Sequence, residues 1–225
     1  MKYYVVRDFG SDVQAVVRTR LVGEEIHAGA AGWVPSDVLR YLRRDDLLHR
    51  AEQVTEEQAG AVIAARPARR CFRVLSVEGP KLPFAVVEVD GQQERAYTRE
   101  LAWGPSDLLA GLGHLSGLRV VELPQQMSAE YAAYDLAFAQ RTFLRHHRWK
   151  GVPYYAIFNS ARGALDLANA IALVKGDAWD EYEYGKGEWV RCSLLRGISN
   201  GGNTYEELPI SPDEAHRLME RLDTR

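Results

Sequence analysis

Cysteine is scarce in this chain: Cys71 and Cys192 are the only two among 225 residues. Two thiols so far apart in sequence make no disulfide framework, and they fall short of the four ligands of a structural zinc site. Reduced thiols are the expectation. Long apolar runs are also missing. No stretch of about 18 apolar residues occurs, and Met1-Lys2-Tyr3-Tyr4-Val5-Val6-Arg7-Asp8 reads as a strand rather than as a signal peptide. The expected location is therefore the cytoplasm, with no membrane partner. Charge of one sign is lacking as well: 28 Lys and Arg face 31 Asp and Glu, a net charge of −3. That balance removes the general electrostatic case for binding nucleic acid or a membrane surface.

Motifs that carry chemistry are few. The six histidines, His27, His49, His114, His146, His147 and His216, show no His-x-x-x-His or His-Glu-x-x-His spacing, and no Cys-x-x-Cys occurs. No metal is expected. Gly111-Leu112-Gly113 and Gly201-Gly202 match neither a phosphate loop nor a dinucleotide fingerprint. They read as turns, and no cofactor is expected. Ser36 and Ser106 lack the Gly-x-Ser-x-Gly elbow of a hydrolase nucleophile and read as turn or cap hydroxyls.

What the chain does contain is self-similarity. With 46% hydrophobic and 26% charged residues it has the composition of a globular protein. Trp33-Val34-Pro35-Ser36-Asp37-Val38-Leu39 recurs as Trp103-Gly104-Pro105-Ser106-Asp107-Leu108-Leu109, and more weakly as Trp189-Val190-Arg191-Cys192-Ser193-Leu194-Leu195. Aromatic-aliphatic runs precede each tryptophan: Tyr3–Val6, Cys71–Leu75 and Tyr154–Phe158. A second run follows each and ends near Gly23, Gly91 or Gly176. Both runs suit strands. After each tryptophan, at separations of 22, 25 and 22 residues, Thr55, Ser128 and Ser211 open a helix, with Ala59, Ala132 and Ala215 four residues on. Thr55 with Gln58 and Ser211 with Glu214 fit the capping box, and Pro212 suits the first helical position. Ser128 has Tyr131 where the box needs an acid or amide.

The expected fold is α+β: three tandem modules, each a short antiparallel sheet with a closing helix, packed into one body. Each module is read as two or three strands, a tryptophan-containing connection with a short helix (about 36–44, 106–112 and 192–196), a further strand and the closing helix. The boundaries are 1–70, 71–140 and 154–225, with 141–153 as a basic helical brace. The helix from Ser128 is expected to run to about Trp149, where Gly151 and Pro153 stop it. Each recurring tryptophan is read as its module's core plug, because one buried ring removes about 200 Å² from water.

The third module diverges. It carries a longer insert, Asn159 to Asn169, an acidic-aromatic stretch from Asp177 to Tyr184, and Cys192 where the others have serine. Its aromatics Trp179, Tyr182 and Tyr184, set among acids, suit interface anchors. Segment charges sharpen the pattern: 141–153 holds four cations and no acid, while 154–225 holds 8 cations against 12 anions. Arg145 and Arg148 in that basic end complement a helix dipole, or bind a partner or nucleic acid. Catalysis has weak candidates in Cys192, His146, His147, Glu181 and Glu183, with Cys192 more readily a small buried hydrophobe.

On Trp-x-Pro-Ser and the helix start Thr55-Glu56-Glu57-Gln58-Ala59, the chain resembles small uncharacterised actinobacterial proteins built from one such module, here in three copies. The resemblance implies a fold unit and no catalytic residue. The first expectation for function is a cytoplasmic binding or regulatory protein, of immunity type, that uses module surfaces to hold a protein partner. The alternative is a small-molecule enzyme with a cleft between modules, and the third is a nucleic-acid binder acting through the basic helix.

Overall fold

The computed structural model describes residues 1–8, 12–45, 49–76, 83–98, 100–113, 117–124, 129–177, 179–201 and 204–224. Ser128 and His114 lie outside them. The chain is α+β, with three five-stranded antiparallel sheets and few helices. The first sheet comprises β1 (Lys2–Asp8), β2 (Val13–Arg20), β3 (Gly23–His27), β4 (Trp33–Ser36) and β5 (His49–Val54), in the order β4-β3-β2-β1-β5. The second comprises β6 (Arg69–Ser76), β7 (Pro83–Asp90), β8 (Gln93–Tyr97), β9 (Trp103–Pro105) and β10 (Leu118–Glu122), in the order β10-β6-β7-β8-β9. The third comprises β11 (Tyr154–Phe158), β12 (Ala172–Asp177), β13 (Asp180–Gly185), β14 (Glu188–Arg191) and β15 (Glu206–Ile210), in the order β14-β13-β12-β11-β15. Each sheet is therefore a four-strand meander whose first strand also pairs with a fifth.

The chain divides into two units, Met1–Ala132 and Ala133–Arg225. In the first, alternation along the strands turns one face of each sheet into a common core: Val6, Val17, Ile26 and Val34 pack with Phe72, Val74, Val87 and Val120. Ser36 ties the two sheets together by donating from Oγ to the Val120 carbonyl at 2.8 Å. Helix α1 (Val38–Asp45) lends Leu39 to this core. Helix α2 (Glu56–Ala64) covers the other face of the first sheet, where Ala59, Val62 and Ile63 meet Tyr3, Val16 and Trp33. Its start is the expected capping box, with Thr55 Oγ accepting from the Gln58 amide and the Gln58 side chain accepting from the Thr55 amide.

Charge is buried in this unit. Arg66 donates to both oxygens of Glu122, at 2.7 and 2.9 Å, with the two side chains 5% and 2% exposed. Arg70 approaches the same carboxylate at 3.7 Å and donates to the His27 carbonyl at 3.1 Å. Burial pushes the Glu122 carboxyl up to about 7 against the pull of the two guanidiniums. His27 is pushed down to about 4, first by burial and then by Arg70, Arg66 and Arg18.

The second unit holds the third sheet. Helix α4 (Leu194–Ser199) covers one face, packing Leu195 and Ile198 on Tyr155, Ile157 and Val174. Helix α5 (Pro212–Asp223) buries Ala215 and Leu218 and starts at the second expected box, Ser211 with Glu214. The segment from Asn159 forms two short 3-10 turns, Gly163–Leu165 and Leu167–Asn169. Arg221 of α5 holds it by donating to the carbonyls of Leu167 and Ala170 at 2.8 and 2.7 Å. Helix α3 (Ala129–His147) runs as one element across the boundary between the units. Within the second unit Tyr134 donates to the Glu207 carbonyl, and Arg141 grips Glu214 at 2.8 and 2.9 Å.

Two expectations fail. The tryptophans are no core plugs: Trp33, Trp103 and Trp189 are all half-buried and lie in strands β4, β9 and β14, not in connections. In β4 the period of two decides this, because Val34 turns into the core and so turns Trp33 to the opposite face. Each ring instead lies under a cation: Arg18 at 4.5 Å, Arg95 at 4.6 Å and Lys175 at 4.3 Å. The short helix expected at 106–112 is reduced to hydrogen-bonded turns, Gly111 to Asp107 and Leu112 to Leu109. Gly111 and Gly113 lower the helical propensity there.

Replacing Arg66 with alanine leaves Glu122 buried without its bidentate partner. The variant should lose about 3–5 kcal/mol of stability in urea unfolding, whereas a loss under about 1 kcal/mol would refute a tightly paired site. His27 gives a pH signature. The unfolded chain takes up a proton near pH 6.5 that the folded chain refuses until about pH 4. The stability of wild type relative to His27→Asn should therefore fall as the pH drops through that window, by at most about 1.4 kcal/mol per pH unit. A difference constant with pH would contradict it.

Candidate functional site

The third sheet presents its most exposed chemistry at two hairpins. Asp177 pairs with Asp180, which places Trp179 in the turn between β12 and β13, where it is 79% exposed. Gly176 permits the turn: its φ is +112°, and a Cβ there would collide with the Asp180 carbonyl oxygen. The next turn closes on Lys186 and Gly187, with φ of 52° and 80°, the left-handed pair that a two-residue hairpin demands. It leads into β14, an edge strand whose Val190 is 61% exposed. The Arg196 guanidinium lies 5.6 Å from the centre of the Trp179 ring. Tyr182 and Tyr184 are half-buried: Tyr182 faces the Lys175 ammonium at 5.8 Å, and Tyr184 donates to Asp223 at 2.7 Å beside Trp189.

Glu181 and Cys192 come together, but as framework. Glu181 is 1% exposed and accepts from the amides of Leu195 at 2.6 Å and Arg196 at 3.2 Å, so it caps α4. Cys192 lies opposite it, its amide bonded to the Glu181 carbonyl and its Sγ 3.7 Å from the carboxylate. The same arrangement occurs twice more. Glu24 accepts from the Leu39 amide at 2.8 Å with Ser36 across the strand pair, and Glu94 from the Leu109 amide at 3.2 Å with Ser106 donating to it. Ser36 and Ser106 each accept an amide two residues on, as turn hydroxyls do. Cys192 packs, half-buried, against the cluster of Tyr155, Ile157, Val174 and Leu195. Burial first, then the Glu181 and Glu183 carboxylates, push its pKa up, the reverse of an activated nucleophile. Cys71 is pushed up to about 12. Glu183 lies half-buried on β13, paired in register with Val174 and Val190.

The basic helix end sorts into separate environments. Arg145 is half-buried, donates to the Tyr155 hydroxyl and lies 5.6 Å from that ring's centre. His146 is exposed and shares a 2.9 Å contact with Arg145, in which His Nε2 serves as acceptor in the neutral ring. His147 faces away and stacks on Phe143 at 4.3 Å. Arg148 is exposed. A cleft of about 280 Å³ opens beside Arg145 and His146. A second, of about 710 Å³, lies in the first unit along Glu88, Glu94, Arg95 and Trp103. There Glu88 bridges Arg69 and Arg95, so its charges are largely matched. Among the described residues no group of three or more His, Cys, Asp or Glu is placed to hold a metal.

The helix-capping glutamates escaped the sequence reading because their partners lie 14 or 15 residues away. A glutamate eight or nine positions before each tryptophan was the signal. Also missed were Leu21 and Val22, 108% and 65% exposed, at the first sheet's turn corresponding to that of Trp179. The chain matches no protein-family model, no curated protein and no solved structure.

Both thiols should react with iodoacetamide far more slowly than a free cysteine at about pH 8, reaching the free rate only on denaturation. Rapid alkylation of native Cys192 at neutral pH would restore it as a nucleophile.

Proposed function

We propose that this chain is a cytoplasmic binding protein whose partner is a protein, held by the hairpins of the third sheet, and that its three sheets are copies of one module. The observation that carries the binding reading is Trp179: a ring 79% exposed at a turn that Gly176 permits. Isolated surface leucines are ordinary, but a projecting Trp with the Arg196 guanidinium 5.6 Å from its ring centre joins two of the side-chain types that dominate binding energy. The β14 edge, last in the sheet order, is a template for an added strand. The module reading is supported by the common strand order and the thrice-used Glu cap. The third copy then keeps the frame and changes the tips, as expected where one copy has taken on binding.

The enzyme alternative draws no support from Cys192 and Glu181, since both are engaged in holding α4.

The test is a pull-down from native lysate with wild type, Trp179→Ala and Tyr182→Ala. Trp179→Ala should keep its stability to within about 0.5 kcal/mol and lose the bound protein. Tyr182→Ala should weaken the capture. An unchanged set of captured proteins would sink the assignment.

A further inference from the structure

The segment that joins α3 to β11 builds a cleft that the hairpins do not use. Its lining includes Arg145, His146, Trp149, Lys150, Tyr154 and Tyr155, and no carboxylate belongs to that lining. Its walls are tied in place. The Arg148 and Trp149 amides both bond to the Leu144 carbonyl, at 2.7 and 3.0 Å, which closes the helix. Gly151, with φ of +93°, then turns the chain, and the Pro153 carbonyl accepts from the Gly176 amide at 3.0 Å. A cleft with pre-set walls loses little entropy when a ligand enters.

We propose that this cleft binds a small aromatic anion of the nucleoside monophosphate class, a flat base joined through its sugar to a phosphate. Three features select that chemistry. The volume of about 280 Å³ accommodates one ring with its anionic group, at the low end of the range of small-molecule sites. Trp149 and Tyr154 belong to the lining, Tyr154 also meeting the Trp189 ring at 6.1 Å, and aromatic side chains are the sequence-tolerant way that proteins hold a base. Arg145 and Lys150 supply the charge. Arg145 is oriented by Tyr155 and His146 and makes no ion pair among the described residues, so the remainder of its five N–H donors can meet phosphate oxygens. Glu207 feels the Arg145 charge, but burial pushes its carboxyl up. This site is independent of the third-sheet hairpins, and either can fail without the other.

Titration calorimetry of the whole chain with adenosine monophosphate, adenosine and inorganic phosphate tests it. The nucleotide should bind at least about tenfold more tightly than either of its parts. Lys150→Gln, an exposed change that leaves the fold intact, should weaken it by about tenfold, and Arg145→Gln by at least as much. Arg148→Gln, outside the cleft, should leave it within about twofold. Phosphate binding as tightly as the nucleotide would remove the aromatic half of the proposal. Absence of nucleotide binding by wild type, or equal losses in the Arg148 and Lys150 variants, would overturn it. A single-stranded oligonucleotide that binds far more tightly, with a steep salt dependence, would overturn the small-molecule class.

Discussion

A glutamate on the third strand of each sheet, accepting the backbone amide of a leucine 14 or 15 residues later, is the contact on which this architecture turns. An amide at the start of a helix or turn has no partner of its own, and placed against a sheet it would be buried unsatisfied. The carboxylate supplies the partner from a neighbouring strand and so fixes where the chain leaves the sheet after the fourth strand. With that exit fixed, Leu39, Leu109 and Leu195 drop into their cores, each at most 4% exposed. Glu181, at 1% exposure, shows how fully the interaction is withdrawn from water in the third sheet.

Strand alternation decides where Trp33 goes and what that leaves available. Once alternation commits Val34 to the core, Trp33 lies on the opposite face, half-shielded by a cation. Trp103 and Trp189 lie under Arg95 and Lys175 in the same manner. These rings are engaged. Trp179 differs because it projects from a turn, 79% exposed, with the Arg196 guanidinium 5.6 Å from its ring centre. Function is therefore sought where the frame ends, at turns and connectors, and both the hairpin surface and the α3–β11 cleft lie there.

Local signals were readable in the sequence. The strand runs, the capping boxes at Thr55 and Ser211, and the end of α3 before Gly151 depend on residues within a few positions of one another. Of the acidic-aromatic stretch, Trp179 is exposed, whereas Tyr182 and Tyr184 are half-buried and Glu181 is buried, which the local pattern of acids and aromatics does not reveal. Non-local decisions were not readable. Which face Trp33 takes depends on the second sheet that receives Val34. The buried Arg66–Glu122 pair joins residues 56 apart, and its arginine looked like part of a plain basic link. The role of Cys192 was half-visible: its correspondence to Ser36 and Ser106 was plain, but the carboxylate that all three positions face was not.

Amide hydrogen exchange, resolved at Leu39, Leu109 and Leu195, tests the central claim most directly. If each amide is held by its glutamate, all three exchange far more slowly than exposed amides, and Glu24→Ala, Glu94→Ala and Glu181→Ala each release the one amide it holds. Exchange at unprotected rates at these positions in the wild-type protein, or protection unaffected by removing the matching glutamate, would contradict the account.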